Sequence, residues 1–231
     1  MILGLVAGLA AIERKGFLQA MLSRPIVLAP LTGWAVGDLG AGLLLAPVLE
    51  LLWLGAVNLG AAVPAHESLG PTAIVGSTAF AAQALETRAI PELAAFALIV
   101  AVPAALLGRL GERAAEAWNE RIASRAEAEL SVHHLRRAAQ CNLYGLGISF
   151  GLSAILAPLT AAFAAWLIPT VLRLQPGLAF PLRVAFFALG AFACAAGAKA
   201  LRARAAPLAF FGAAAATVTV GLFALLTGRA M

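Results

Sequence analysis

From Ile26 to Val63 the chain is almost continuously apolar, yet Asp38, Glu50 and Asn58 lie inside that run, among glycines and a proline at Pro47. No other feature restricts the backbone as much. In lipid every N–H and C=O must be bonded within the protein, which leaves helices and closed barrels as the structures that span. An acid at the bilayer centre costs about 2.5–3.5 kcal/mol on insertion scales. Glu50, in LLLAPVLELLWLGAVNLGAA, is therefore expected to face protein or water and to serve a purpose there.

Apolar residues make up 62% of the 231 positions and charged residues 12%, against roughly 45–50% and 25% in soluble domains. The mean hydropathy is +0.95. An integral membrane protein follows, with room for about six to eight spans of roughly 20 residues. The expected fold is all-α and polytopic, with transmembrane or re-entrant helices, some of them broken, and one amphipathic or solvated helix. We expect one membrane domain over residues 1–231, within which 109–137 is a charged helical connector.

The net charge of +5 does not point to nucleic acid, because the cations flank apolar stretches: Arg14, Lys15 and Arg24, then Arg136 and Arg137, then Lys199, Arg202 and Arg204. Such clusters mark cytoplasmic loops and meet anionic headgroups. Cys141 and Cys194 stand far apart without Cys-x-x-Cys pairing and read as small apolar fillers. At the N-terminus the positive charges follow the apolar stretch, so it does not read as a removed signal peptide.

Along the chain, Ile2–Ile12 is too short to span and is expected to form a half-span or to lie against the bundle. Pro25–Leu39 and Ala41–Val63 are predicted to give one long span plus a broken one, interrupted by Gly33, Gly37, Gly40, Gly42 and Pro47. Pro71–Leu85 is short for a span, and Leu93–Leu107 is a span. Arg109–Arg137 then carries eleven charged residues. There Glu112, Glu116 and Glu120 recur at helical spacing beside Arg113, Arg121 and Arg125, the pattern of an exposed helix. Trp118, Ile122 and Leu130 give it a weak apolar edge. Further spans are predicted at Leu143–Val171, where Pro158 and Pro169 are expected to bend or divide the helix, at Pro181–Ala198 and at Pro207–Leu226. The recurrence of Leu-Ala-Pro-Leu-Thr at Leu28–Thr32 and Leu156–Thr160 is attributed to composition.

Two readings stand for each polar residue in the apolar run. Asp38, among four glycines that free the backbone, suits hydrogen bonds to sugar hydroxyls or a cation, or else caps a helix end. Glu50 either binds a polar ligand or pairs with an arginine elsewhere. Glu50 and Asn58 would lie some 12 Å apart along a continuous helix, so they share a cavity only if the helix bends, as Gly55 permits. Asn58 can also bond a neighbouring helix. His66 and Glu67, between Pro64 and Pro71, are adjacent in a loop or re-entrant tip and suit ligand contact better than catalysis. His133 and His134 lack partners at zinc spacing. No phosphate-binding loop, His-Glu-x-x-His or Gly-x-Ser-x-Gly occurs, and no cofactor, metal site or catalytic residue is expected.

The stretch Ser23–Ala62 resembles the IIC subunit of the mannose-type sugar phosphotransferase systems. Four ordered elements carry the likeness: Arg24-Pro25, Gly37-Asp38, Leu49-Glu50 and Asn58-Leu59-Gly60-Ala61-Ala62. Family members show acidic and glutamine residues just before the turn, where this chain offers Gln19. The usual Pro-Asp loop after the Gly-Ala-Ala ending is replaced here by Pro64-Ala65-His66-Glu67, the mark of a diverged member. The resemblance implies a multi-pass subunit of the cell inner membrane that binds and translocates a hexose-like sugar. It would work beside a IID membrane subunit, in an oligomer of heteromers, with the phosphorylated residues on separate cytoplasmic IIA and IIB proteins. Glu50 and Asn58 would contact the sugar, with Asp38, Gln19, His66 and Glu67 contributing. A carboxylate suits that task because it accepts charge-assisted bonds from vicinal hydroxyls. The composition also admits the substrate-binding subunit of an energy-coupling vitamin transporter, and an intramembrane transferase using Glu50 or the His66–Glu67 pair.

Overall fold

Proline at the first helical position costs no hydrogen bond, and its fixed φ suits a helix start. Accordingly Arg24, in extended conformation, ends the first connection, and a helix begins at Pro25. The computed structural model describes residues 1–15, 20–53, 69–88, 90–131 and 135–201, with isolated positions between 207 and 219. Among these residues the chain is wholly helical: α1 (Ile2–Lys15), α2 (Pro25–Val36), α3 (Leu39–Trp53), α4 (Leu69–Leu85), α5 (Ile90–Ser131), α6 (Leu135–Leu174), a 3-10 turn (Pro176–Leu178) and α7 (Ala179–Leu201).

Over its described residues, 26–53, the apolar run gives two short helices packed side by side. α2 has 12 residues, about 18 Å, and α3 has 15, about 22 Å. Gly37 reverses the chain between them at φ 84, in the left-handed region that glycine adopts without penalty. Close approach then depends on Gly42, where an added Cβ would fall 2.5 Å from the Ala29 carbonyl oxygen and 2.9 Å from the Cα of Pro30. Pro30 and Pro47 are carried inside their helices.

α4 is buried on every side from Leu69 to Ala79. Its composition, LGPTAIVGSTAFAAQAL, explains how neighbours can surround it, since small residues let helices approach closely. The buried hydroxyls of Ser77 and Thr78 donate to the carbonyls of Ala73 and Ile74, at 2.6 and 2.8 Å, so they need no partner from another helix. Leu45 and Leu49 of α3, Ile74 and Val75 of α4, Leu93 of α5, Ile168 of α6 and Phe186 of α7 close one core around it.

α5 and α6 are long, at 42 and 40 residues, each about 60 Å. They run antiparallel, with Gly111 against Leu152 and Gly145 against Asn119. The charged segment expected as a connector over 109–137 falls on the second half of α5, continuous with its apolar half, and on the first residues of α6. Pro158 and Pro169 do not divide α6. On α6, Ala157, Ala161, Ala164 and Ile168 are buried while Ile155, Leu159, Phe163 and Trp166 are exposed. Small residues inward and large apolar ones outward is the arrangement of a helix facing lipid. Among the described residues two stretches, Ala139–Leu174 and Pro176–Cys194, are long and apolar enough to cross a bilayer, and the apolar helices Ile2–Glu13, Pro25–Val36, Leu39–Trp53 and Ile90–Ala101 are shorter.

Candidate functional site

The Ser-Arg-Pro turn leaves its backbone N–H groups without helical partners, and two carboxylates from other helices take them. Glu50, near the end of α3, accepts from the N–H of Ile26 at 3.1 Å through Oε2. Its other oxygen lies 4.0 Å from Nη1 of Arg24. Glu13, near the end of α1, accepts from Leu22 at 3.3 Å and Ser23 at 3.0 Å. The positive end of the α2 dipole favours both charges. Glu13 is buried, whereas the Glu50 and Arg24 side chains keep 20% and 30% of their surface open, enough for a solute to reach them. Nη1 of Arg24 is itself buried and has no hydrogen-bond partner. The arginine partner that the sequence left unnamed for Glu50 is thus Arg24, from the adjoining turn.

Asp38 stands at the opposite end of the hairpin. Its Oδ1 accepts from the N–H of Ala41 at 3.0 Å, capping α3, while its own N–H donates to the carbonyl of Gly33 at 2.8 Å. Asp38 and Glu50 are twelve residues apart, about 18 Å along α3, so the structure does not bring them together. Gln19, Asn58, His66 and Glu67 lie outside the described residues.

A third polar group, at Glu92, is one that sequence reasoning does not single out. Glu92, two residues into α5 and 2% exposed, is paired with Arg183 of α7. Its Oε2 is buried without a hydrogen-bond partner. The available signal was an acid directly after Ile90-Pro91, the position of a first-turn carboxylate. Elsewhere, Arg173 of α6 donates to the carbonyl of Ala84 at 3.2 Å, and Gln83 of α4 donates to the carbonyl of Val36 at 3.0 Å. No cluster of three metal-ligating side chains occurs among the described residues. What the site offers is carboxylate and guanidinium groups in an apolar frame, suited to recognising hydroxyls by hydrogen bonds.

Helices of this length and inside-out polarity, with ion pairs set between them, define a helical membrane component. The fold resembles two solved structures across 98% of this chain: one titled only as a membrane protein (TM-score 0.68, 19% identity, 92% of that chain), and the mannose transporter ManYZ in complex with microcin E492 (TM-score 0.58, 18% identity, 91% of that chain). Residues 1–198 match the family described as the PTS system sorbose-specific IIC component, and the chain belongs to that family. A relative from Escherichia coli (strain K12), described as a candidate N-acetylgalactosamine permease IIC component 2, is 37% identical over 109 residues, 47% of this chain and 74% of its own length. The chain is therefore a IIC-family membrane component of sugar transport.

Proposed function

We propose that this chain binds a hexose-like sugar and carries it across the inner membrane as the IIC subunit of a mannose-type phosphotransferase system. Glu50 carries the reading. It is an acid in an apolar helix that keeps part of its surface open beside Arg24, within the stretch that resembles the mannose-type pattern. Its Oε2 serves the backbone of α2, while Oε1 and the partly open guanidinium of Arg24 form an acceptor–donor pair matched to vicinal hydroxyls. Asn58, Asp38, Gln19, His66 and Glu67 are proposed to complete recognition at different stages of passage. The relative's name, an N-acetylgalactosamine permease component, supports a hexose derivative as cargo. A IID membrane subunit would complete the permease, and cytoplasmic IIA and IIB proteins would supply the phosphoryl group, leaving this chain without a catalytic residue.

Uptake of labelled sugar by cells carrying the cognate subunits tests this. Charge-assisted bonds contribute about 1.5–3 kcal/mol each, so Glu50→Ala should lower uptake by roughly ten- to a hundredfold at equal membrane abundance. Glu50→Gln, which can still accept from Ile26, separates ligand binding from capping. Unchanged uptake in both variants would remove Glu50 from the sugar site.

A further inference from the structure

The turn that presents Arg24 is strained. Met21, three residues earlier, has φ 59, a left-handed conformation that favours glycine and that a long side chain occupies at a cost. Such a residue persists where the surrounding structure fixes the backbone around it. Within the turn the N–H of Arg24 donates to the carbonyl of Met21 at 3.2 Å, and the carbonyl of Arg24 accepts from Val27 and Leu28 at 3.0 and 2.8 Å.

Glu13 of α1 holds the segment between the strained residue and the arginine. Its Oε1 accepts from Leu22 at 3.3 Å and its Oε2 from Ser23 at 3.0 Å. Both oxygens thus serve the backbone, and with 6% of its surface exposed the residue is closed to a solute. Beyond Arg24, Pro25 fixes φ and Glu50 holds the N–H of Ile26. Arg24 therefore leaves a backbone anchored to α1 on one side and to α3 on the other, with Nη1 4.0 Å from Glu50. Groups that bind a ligand together must be held within about 0.5 Å of their working geometry, and a turn released at Leu22 and Ser23 does not meet that demand.

We propose that Glu13 is a positioning residue for sugar binding: it touches no sugar, and by holding Leu22 and Ser23 it keeps the Arg24 guanidinium opposite Glu50. The proposal rests on the Arg24–Glu50 reading of the sugar site. It divides the work of the two acids at this turn, Glu50 meeting backbone and solute, Glu13 the backbone alone.

Two measurements test it. In cells carrying the cognate subunits, initial uptake of labelled mannose, sorbose and N-acetylgalactosamine is followed against concentration at equal membrane abundance. Glu13→Ala should raise KM about tenfold and leave the maximal rate within about twofold of the parent, the signature of weakened binding. Glu13→Gln keeps one acceptor for the two N–H groups and should fall between, and it carries the test if Glu13→Ala does not accumulate. In an Arg24→Ala background, Glu13→Ala should change KM by less than about twofold, because the group it positions is gone. A further rise of about tenfold there, or a loss of maximal rate at unchanged KM, overturns the proposal.

The second measurement needs no sugar. Because both acids hold one turn, the purified double variant Glu13→Ala/Glu50→Ala should melt about 2 °C or more above the value that the two single losses add up to. Additive losses overturn the proposal. Failure of the sugar site itself reads differently: Glu50→Ala leaves KM unchanged, while the dependence of Glu13 on Arg24 stands or falls by its own comparison. Uptake of none of the three sugars by the parent removes the sugar reading and this proposal with it.

Discussion

Gly42 offers the most direct test of how the apolar run folds. In the α2–α3 hairpin its hydrogen points at the backbone of α2, where a Cβ would meet the Ala29 carbonyl oxygen at 2.5 Å, the Pro30 Cα at 2.9 Å and the Ala29 carbonyl carbon at 3.1 Å. Real Cβ atoms do not approach backbone so closely, and neither atom belongs to a side chain that can rotate away. Gly42→Ala must therefore separate α2 and α3 by up to an ångström, and overpacking of this kind costs about 1–3 kcal/mol. Helix propensity works the other way, alanine being favoured over glycine by about 0.8–1.0 kcal/mol within a helix. Gly40 supplies the control: it lies in the same helix, but a Cβ there meets only Asp38 Oδ1, at 3.5 Å, an ordinary contact. Thermal unfolding of the purified protein in detergent should show Gly40→Ala equal to or above the parent. Gly42→Ala should melt about 2–12 °C below Gly40→Ala, because both gain the same propensity and only Gly42→Ala carries the overpacking cost of about 1–3 kcal/mol, at about 2–4 °C per kcal/mol for a chain this size. If Gly42→Ala melts with Gly40→Ala, the two helices do not touch at this point and the hairpin is wrongly drawn.

Two further outcomes follow from the ion pair and the cap. Glu92→Ala leaves Arg183 without its partner and should destabilise by about 3–5 kcal/mol, while Glu92→Leu with Arg183→Met should recover most of that loss; melting temperatures of the three variants check it, and an unstable double variant refutes it. Asp38→Asn keeps the cap on Ala41 and should leave stability within about 0.5 kcal/mol of the parent, while Asp38→Ala should lose about 1 kcal/mol. Sugar uptake measured on the same two proteins then shows whether the charge of Asp38 matters to transport beyond the cap.

Much of the architecture was legible because it depends on local chemistry. The glycines around Asp38 announced non-helical backbone, and Gly37 supplies it; the Arg24-Pro25 turn announced a helix start, and α2 begins there. The apolar stretches Leu93–Leu107, Leu143–Val171 and Pro181–Ala198 all fall inside helices. The long-range partnerships were not legible. Glu92 and Arg183 are 91 residues apart, and hydrophobic periodicity carries no information about which distant residue an acid will meet. Glu13 directly follows an apolar stretch and precedes two cations, where an exposed acid is expected, yet it is buried because its oxygens replace water on two N–H groups. The same limit applied to α5: a change from apolar to charged composition reads as a boundary, but nothing in Gly108–Arg113 stops a helix, so the backbone continues through it. Glu50 sits between these cases: the structure gives it an arginine partner, Arg24, and leaves part of its surface open.

The short hairpin also has a consequence for permeation. A hydrocarbon layer is about 30 Å thick, but the carboxylates of Asp38 and Glu50, at the two ends of α3, bracket roughly 18 Å of apolar helix. A polyhydroxy solute travelling beside α3 would leave the reach of one carboxylate and enter that of the other after little more than half the usual distance without water. On the proposed site, the desolvation barrier to transport would narrow accordingly, and part of the work of crossing would be done by the shape of the protein before anything moves.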